Sequence, residues 1–224
     1  MKKNGFTLVE LMVAMAIGMV VMLAIYSASD LAQRSSSSVG RKVVTQQDAR
    51  AVLDLMAMEI RMASFNPTRA TGIWRNPGNC GALSANQTYK GIQNAAASTI
   101  TVEMDLNGNG LIANPDANEV ITYNYNGASA ITRSTNCAGN ETILGGPGLG
   151  TNVANGAAGI PLFRYYDRLD NIIPAAGLPA QIRNIRRVNI TLVVDNEQAD
   201  PGAAVPRRMI YSTDLIVRNH VLSP

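Results

Sequence analysis

One histidine, His220, stands in the whole chain of 224 residues, which excludes histidine-rich metal sites. No G-x-S-x-G or H-E-x-x-H motif is present, so neither a nucleophile elbow nor a zinc helix is available, and no catalytic constellation emerges. Gly145-Gly146-Pro147-Gly148-Leu149-Gly150 is glycine-rich, but no Gly-Lys-Ser/Thr follows it to make a phosphate loop. Charge is scarce, at 16% of residues, and the formal balance is only +3. Two of those charges, Lys2 and Lys3, fall in the first five residues, and their removal would leave +1. Such a near-neutral chain offers no electrostatic footprint for nucleic acid. No internal repeat is evident, and the length suits one ordinary domain plus an appendage.

The apolar residues are unevenly spread. Phe6–Ala28 holds a single formal charge, Glu10, in 23 residues. That is enough to cross the hydrocarbon core as a helix, which needs about 20 residues. Lys2 and Lys3 precede the run, so the positive-inside rule puts the N-terminus in the cytoplasm and the remainder across the membrane. A secretory signal peptide is cut after its apolar stretch at small residues. Here a short polar leader comes before the stretch, and no A-x-A-like site follows. Glu10 is the anomaly, because an acid within a bilayer segment is costly and usually has a partner.

Helical patterning continues beyond the apolar run. Val44, Ala51, Leu55, Met58 and Met62 draw one stripe at helical spacing, and Arg50 and Asp54 are an i,i+4 pair on the other side. Ser35–Gly40 is a poor helix former that could soften the rod. One long helix is expected over residues 6–64, ended by Asn66-Pro67. Period-two patterning then predicts strands at Thr99–Met104, Val120–Tyr125, Ala130–Ser134, Leu162–Tyr166, Arg187–Val194 and Arg208–Arg218, the last two forming a hairpin. Gly139–Gly159, rich in Gly, Asn and Ala, is expected to be irregular. The fold class is α+β, a long N-terminal α-helix packed on an antiparallel β-sheet head.

Asp105, Asn107 and Asn109 followed by Gly110 match the opening of a D-x-[DN]-x-[DN]-G calcium loop, with Asp116 and Glu119 as further carboxylates. Asp116 stands where the pattern has Glu, and a strand rather than a helix precedes Asp105. A polar hairpin loop is the other reading, since Asn-Gly is a strong turn signal. Asp195, Asn196, Glu197 and Asp200 are expected to form a solvated loop, and Arg183, Arg186 and Arg187 a solvated strand end. The even pair Cys80 and Cys137, in a part of the chain expected outside the cytoplasm, is a candidate disulfide closing roughly 4 kcal/mol of loop entropy.

Gly5-Phe6-Thr7-Leu8-Val9-Glu10-Leu11 resembles the prepilin cleavage and methylation motif of type IV pilins and type II secretion pseudopilins. The resemblance implies that a prepilin peptidase cuts between Gly5 and Phe6 and that the new Phe6 amine is methylated. It also implies that Glu10 pairs with the Phe6 amine of a neighbouring subunit, a cation that relieves a lone carboxylate in apolar surroundings. The domains are then a leader at 1–5, a transmembrane and filament-core helix at 6–28, its continuation at 29–66 and a β-rich head at 67–224. Asp54–Ala63 closing the helix, the Asp/Asn-rich segment before Val120 and Leu162–Asp167 resemble minor pilins of the PilW type. Type II secretion pseudopilins of the GspJ type share the large β-rich head. The implied partners are major and minor pilins, prepilin peptidase, the inner-membrane assembly platform and a tip adhesin. The implied location is the inner membrane, with the head in the periplasm, and then the pilus. Calcium is the one candidate cofactor, and no enzymatic activity is expected.

Overall fold

Proline at position 67 and an uninterrupted supply of helix formers before it define the first element. In the computed structural model, which describes residues 5–112, 118–196 and 206–222, helix α1 runs unbroken from Leu8 to Arg61. Ser35–Gly40 does not soften it, contrary to expectation. The Ser37 hydroxyl donates to the Arg34 carbonyl at 3.0 Å, so the serine bonds within its own turn and costs only its weak propensity. Two compact units divide between Val43 and Val44.

In the first unit α1 presents apolar side chains on every side. Leu8, Leu11, Val13, Ile17, Val20, Val21 and Ile25, which together go round the helix, are all exposed. A helix apolar all round and long enough to span a bilayer has no aqueous core to enter.

In the second unit the helix becomes one-sided. Thr45, Ala49, Val52, Leu53, Met56, Ala57 and Ile60 are buried. This corrects the expected stripe, for Val44 and Met58 are more than half exposed and Leu55 and Met62 are half-buried. Both sets have helical spacing, so periodicity alone did not choose between them. Ala49 and Ala57 on the helix, and Ala63 just past its end, are buried in the same core as the sheets. Arg50 forms no ion pair with Asp54 among the described residues; its guanidinium lies over the Tyr211 ring, 5.8 Å from the centroid.

The strands are β1 (Arg75–Asn76), β2 (Asn79–Leu83), β3 (Ile92–Ala95), β4 (Thr99–Glu103), β5 (Val120–Tyr125), β6 (Ala130–Thr135), β7 (Ala138–Gly145), β8 (Thr151–Val153), β9 (Phe163–Tyr166), β10 (Ile172–Ile173), β11 (Arg187–Asn196) and β12 (Arg208–Ile216). Strands β3 to β7 pair in chain order as one antiparallel sheet. A second antiparallel sheet has the order β10-β9-β11-β12, with β8 also paired to β11, and β1-β2 form a separate ribbon. All six expected strands are present, and β11 and β12 pair antiparallel over nine partners, from Arg187↔Ile216 to Asp195↔Arg208.

Gly139–Gly159 is not irregular. It carries β7, β8 and the short helix α2 (Asn155–Ala158). Composition hid these strands because glycines serve their turn. Gly145, Gly146, Gly148 and Gly150 hold positive φ, and a Cβ on Gly145 would sit 2.1 Å from the Ser129 carbonyl oxygen. Ile60, Met56, Ile100, Ile121, Tyr123, Val188, Ile190 and Leu192 share one continuous core.

Candidate functional site

The N-terminal segment is built around Thr7. Gly5, Phe6 and Thr7 precede the helix, and Phe6 is 91% exposed. The Thr7 amide and hydroxyl both donate to Glu10 Oε2, at 2.8 and 2.9 Å, while the Glu10 amide donates to Thr7 Oγ1 at 3.3 Å. This is a reciprocal capping box, with Thr7 at the N-cap and Glu10 three residues on. It satisfies N–H groups that the start of a helix leaves open. The sequence reading assigned Glu10 a partner outside the chain and overlooked this one inside it. The signal was present as Thr-x-x-Glu before an apolar run. The Gly5–Phe6 bond thus lies before the helix, and Glu10 is held within its first turn.

Cys80 in β2 and Cys137 in the β6–β7 turn are joined as a disulfide with Cα atoms 5.7 Å apart. The bond ties the β1-β2 ribbon to the five-stranded sheet beside a small core of Ile73, Trp74, Ile112 and Val120.

The Asp105 loop is held by backbone amides. Asp105 is fully buried, and its Oδ1 accepts from Gly108 and Asn109 N–H at 2.8 and 3.1 Å while Oδ2 accepts from Gly110 N–H at 3.0 Å. Asn107 Oδ1 accepts from Asn109 N–H and Asn109 Oδ1 from Leu111 N–H. Glu119 Oε1 accepts from Leu106 N–H at 2.9 Å. Asp116 lies outside the described residues. Among those described, the oxygens proposed for calcium each already meet a backbone donor, and no cluster of three or more acidic, His or Cys groups converges.

The second acidic segment is not a solvated loop in its described part. Asp195 and Asn196 extend β11; Asp195 pairs with Arg208 at 2.9 Å and buried Asn196 accepts from the Thr45 hydroxyl at 2.8 Å. Cross-strand pairing with Arg208 carries the ladder two residues beyond the apolar alternation. Glu197 and Asp200 lie outside the described residues. Arg187 is likewise more than a solvated end: it pairs with Asp170 and Asp214 and lies over the Tyr166 ring at 3.7 Å.

Three buried polar groups escaped the sequence reading. Glu59 on α1 meets Arg133 and Tyr123. Glu103 is fully buried; its Oε2 accepts from the Arg75 amide at 2.7 Å and Oε1 has no partner among the described residues. Burial pushes the Glu103 carboxyl up to about 8, against the lowering influence of Arg75. His220 is buried between the Ser64 hydroxyl, 2.8 Å from Nδ1, and the Ile182 carbonyl, 3.0 Å from Nε2. Since a carbonyl only accepts, Nε2 carries the proton and Nδ1 accepts from Ser64. Burial holds the ring down at about 4, so it is neutral near pH 7. Each of these groups is polar in type and isolated in sequence, so only the fold reveals its partner.

Residues 1–26 match the prokaryotic N-terminal methylation motif, and residues 39–146 match the family of prepilin peptidase-dependent protein B. No curated protein and no solved structure matches the chain. The first match covers the leader, the capping box and the apolar helix; the second covers the end of α1 and the five-stranded sheet through β7. Together they make the chain similar to type IV pilin-like proteins that depend on prepilin peptidase.

Proposed function

We propose that this chain is a minor pilin, a structural subunit that helps initiate a type IV pilus and sits at or near its tip. The observation that carries the reading is α1 itself. Its first part is apolar on all sides and opens with Thr7 capping on Glu10, while its last turns are one-sided and bury into a head of two five-stranded sheets. An all-round apolar helix is stable in lipid before assembly and among other helices afterwards. The head stands in the periplasm while the helix is in the inner membrane, and both then pass into the filament. The role is structural, with no chemistry performed.

Assembly exchanges partners at Glu10. In the single chain its carboxylate accepts from Thr7. In the filament a neighbour's methylated Phe6 ammonium replaces or joins that donor, giving a charge-assisted bond where lipid has been excluded. The PilW type is supported by the sequence resemblance of Asp54–Ala63 and Leu162–Asp167; a type II secretion pseudopilin of the GspJ type would use the same helix and the same exchange.

Recovery of the protein in sheared pili tests the reading. Glu10→Ala is expected to leave cleavage intact and to reduce the amount in sheared pili, because the apolar run still inserts. Normal recovery of that variant, or presence only in a secretion-system preparation, would overturn the proposed role.

A further inference from the structure

A cleft of about 670 Å3 opens in the head just past the C-terminal end of α1. Its charged lining residues are Arg69, Lys90 and Arg183, and no acidic residue lines it. Arg69 and Arg183 are exposed and take part in no ion pair among the described residues. A cluster of like charges repels itself, and a fold that needed them only for solubility would scatter them. The Lys90 ammonium shows the strain: burial first, and then the nearby Arg186 charge, hold it below its ordinary value.

The backbone supplies a second, independent observation. Among the described residues, seven other than glycine hold positive φ, and three of them, Ser64, Arg69 and Lys90, line this one cleft. Neither Arg nor Lys prefers that region, so the surrounding structure must impose it. The floor is rigid as well as strained. A Cβ on Gly91, next to Lys90, would lie 2.1 Å from the Ser64 amide nitrogen, and the Gly91 amide donates to the Ser64 hydroxyl at 2.9 Å. Strain concentrated beneath unpaired guanidinium groups is the signature of a preorganised ligand site.

The chemistry of the walls narrows the ligand. Two guanidinium forks match carboxylate geometry. Thr71, Thr88 and Asn219 add hydroxyl and amide groups at the same cleft. Phe65, Pro67 and Ala70 are the apolar part of the lining, and the Trp74 ring, 5% exposed, is not open to a ligand. From these features we infer that the cleft binds a carboxylate-bearing sugar, its acid group on Arg69 and Arg183 and its hydroxyls on the amide and hydroxyl side chains.

The test is calorimetric titration of the full chain, in a neutral detergent, with trigalacturonate. Saturable binding is expected, with galactotriose giving none and 0.5 M salt weakening the interaction, by about tenfold or more. Arg183→Ala and Arg69→Asn should each weaken binding about tenfold, the loss of one charge-assisted contact. Asn tolerates positive φ, so the second variant keeps the backbone, and unchanged melting temperatures verify that both still fold. No binding of trigalacturonate overturns the inference, as does equal affinity in the Arg69→Asn, Arg183→Ala double variant. Tighter binding of an Asp-rich hexapeptide overturns it in favour of a protein partner. Complete competition by inorganic phosphate at equal concentration overturns it in favour of an unselective anion patch.

Discussion

Glu59 on α1 and Arg133 on β6 form a two-point ion pair, with Arg133 Nη2 donating to Glu59 Oε1 at 2.7 Å and Nε donating to Oε2 at 3.1 Å. The Tyr123 hydroxyl also donates to Glu59, and Arg133 donates further to Asn118 Oδ1. Both charged side chains are mostly buried, at 13% and 16% exposure. Removing one partner leaves the other in a poor dielectric. Glu59→Ala is expected to destabilise the second unit, Val44–Pro224, by about 3 kcal/mol in chemical denaturation. Pairing it with Arg133→Met should recover part of that loss, since the stranded cation is then gone too.

Glu103 should make the head less stable as pH rises. Its carboxyl is pushed up from an ordinary 4.5 to about 8 by burial, so between those values the folded state keeps a proton that the unfolded state has released. Stability is full below about pH 4.5 and falls as pH approaches 8. Glu103→Gln keeps a side-chain oxygen to accept from the Arg75 amide and carries no charge. Melting temperatures taken across pH 5 to 9 are expected to decline in the parent and to flatten in the variant, with the largest gain near pH 8.

His220 works in the opposite direction. Burial holds its ring at about 4, below the ordinary 6.5, so the unfolded state binds the proton first. Stability is present above pH 6.5 and is lost as pH falls toward 4. His220→Gln retains a donor for the Ile182 carbonyl and cannot protonate. The loss of stability between pH 6.5 and 4 should shrink in this variant, measured in the Glu103→Gln background so that the two slopes do not cancel.

The Asp105 carboxylate anchors its loop through three backbone amides. Asp105→Ala strands those donors and is expected to cost about 2–3 kcal/mol even in chelator. Melting with calcium and with chelator separates the two uses of the loop. A calcium-dependent rise in the parent, absent in the variant, would add a cation to the amide cradle. Equal melting in both media would leave the amides as its whole support.

Strand positions were legible because alternation is local: Val188, Ile190, Leu192 and Val194 announce one face of β11 from sequence alone. Phase was not. The helix from Val44 to Arg61 has two apolar stripes, and only packing against the sheets selects the buried one, through Ala49, Val52, Leu53, Met56 and Ile60. The glycine-rich β7–β8 region was missed for a related reason, since its turns need glycine, the first five residues of β7 are exposed and show no apolar alternation, and β8 has only three residues. At the N-terminus the residues were legible but one bond was not. Glu10 stood out by its charge in an apolar run, yet its bonds to Thr7 follow from helix-start geometry rather than from the pilin resemblance. Ser64 and His220 are 156 positions apart, and no local pattern joins them.

Processing at Gly5–Phe6 is the claim on which the account of the N-terminus rests. Phe6 lies outside the helix and exposed, with Thr7 and Glu10 capping the first turn behind it. Intact-mass and N-terminal peptide mass spectrometry of the protein from membranes measures it directly. The expected result is a chain that begins at Phe6 and carries one methyl group on its amine. A chain that still begins at Met1 in cells with active prepilin peptidase, or one that begins beyond Ala28, would contradict it.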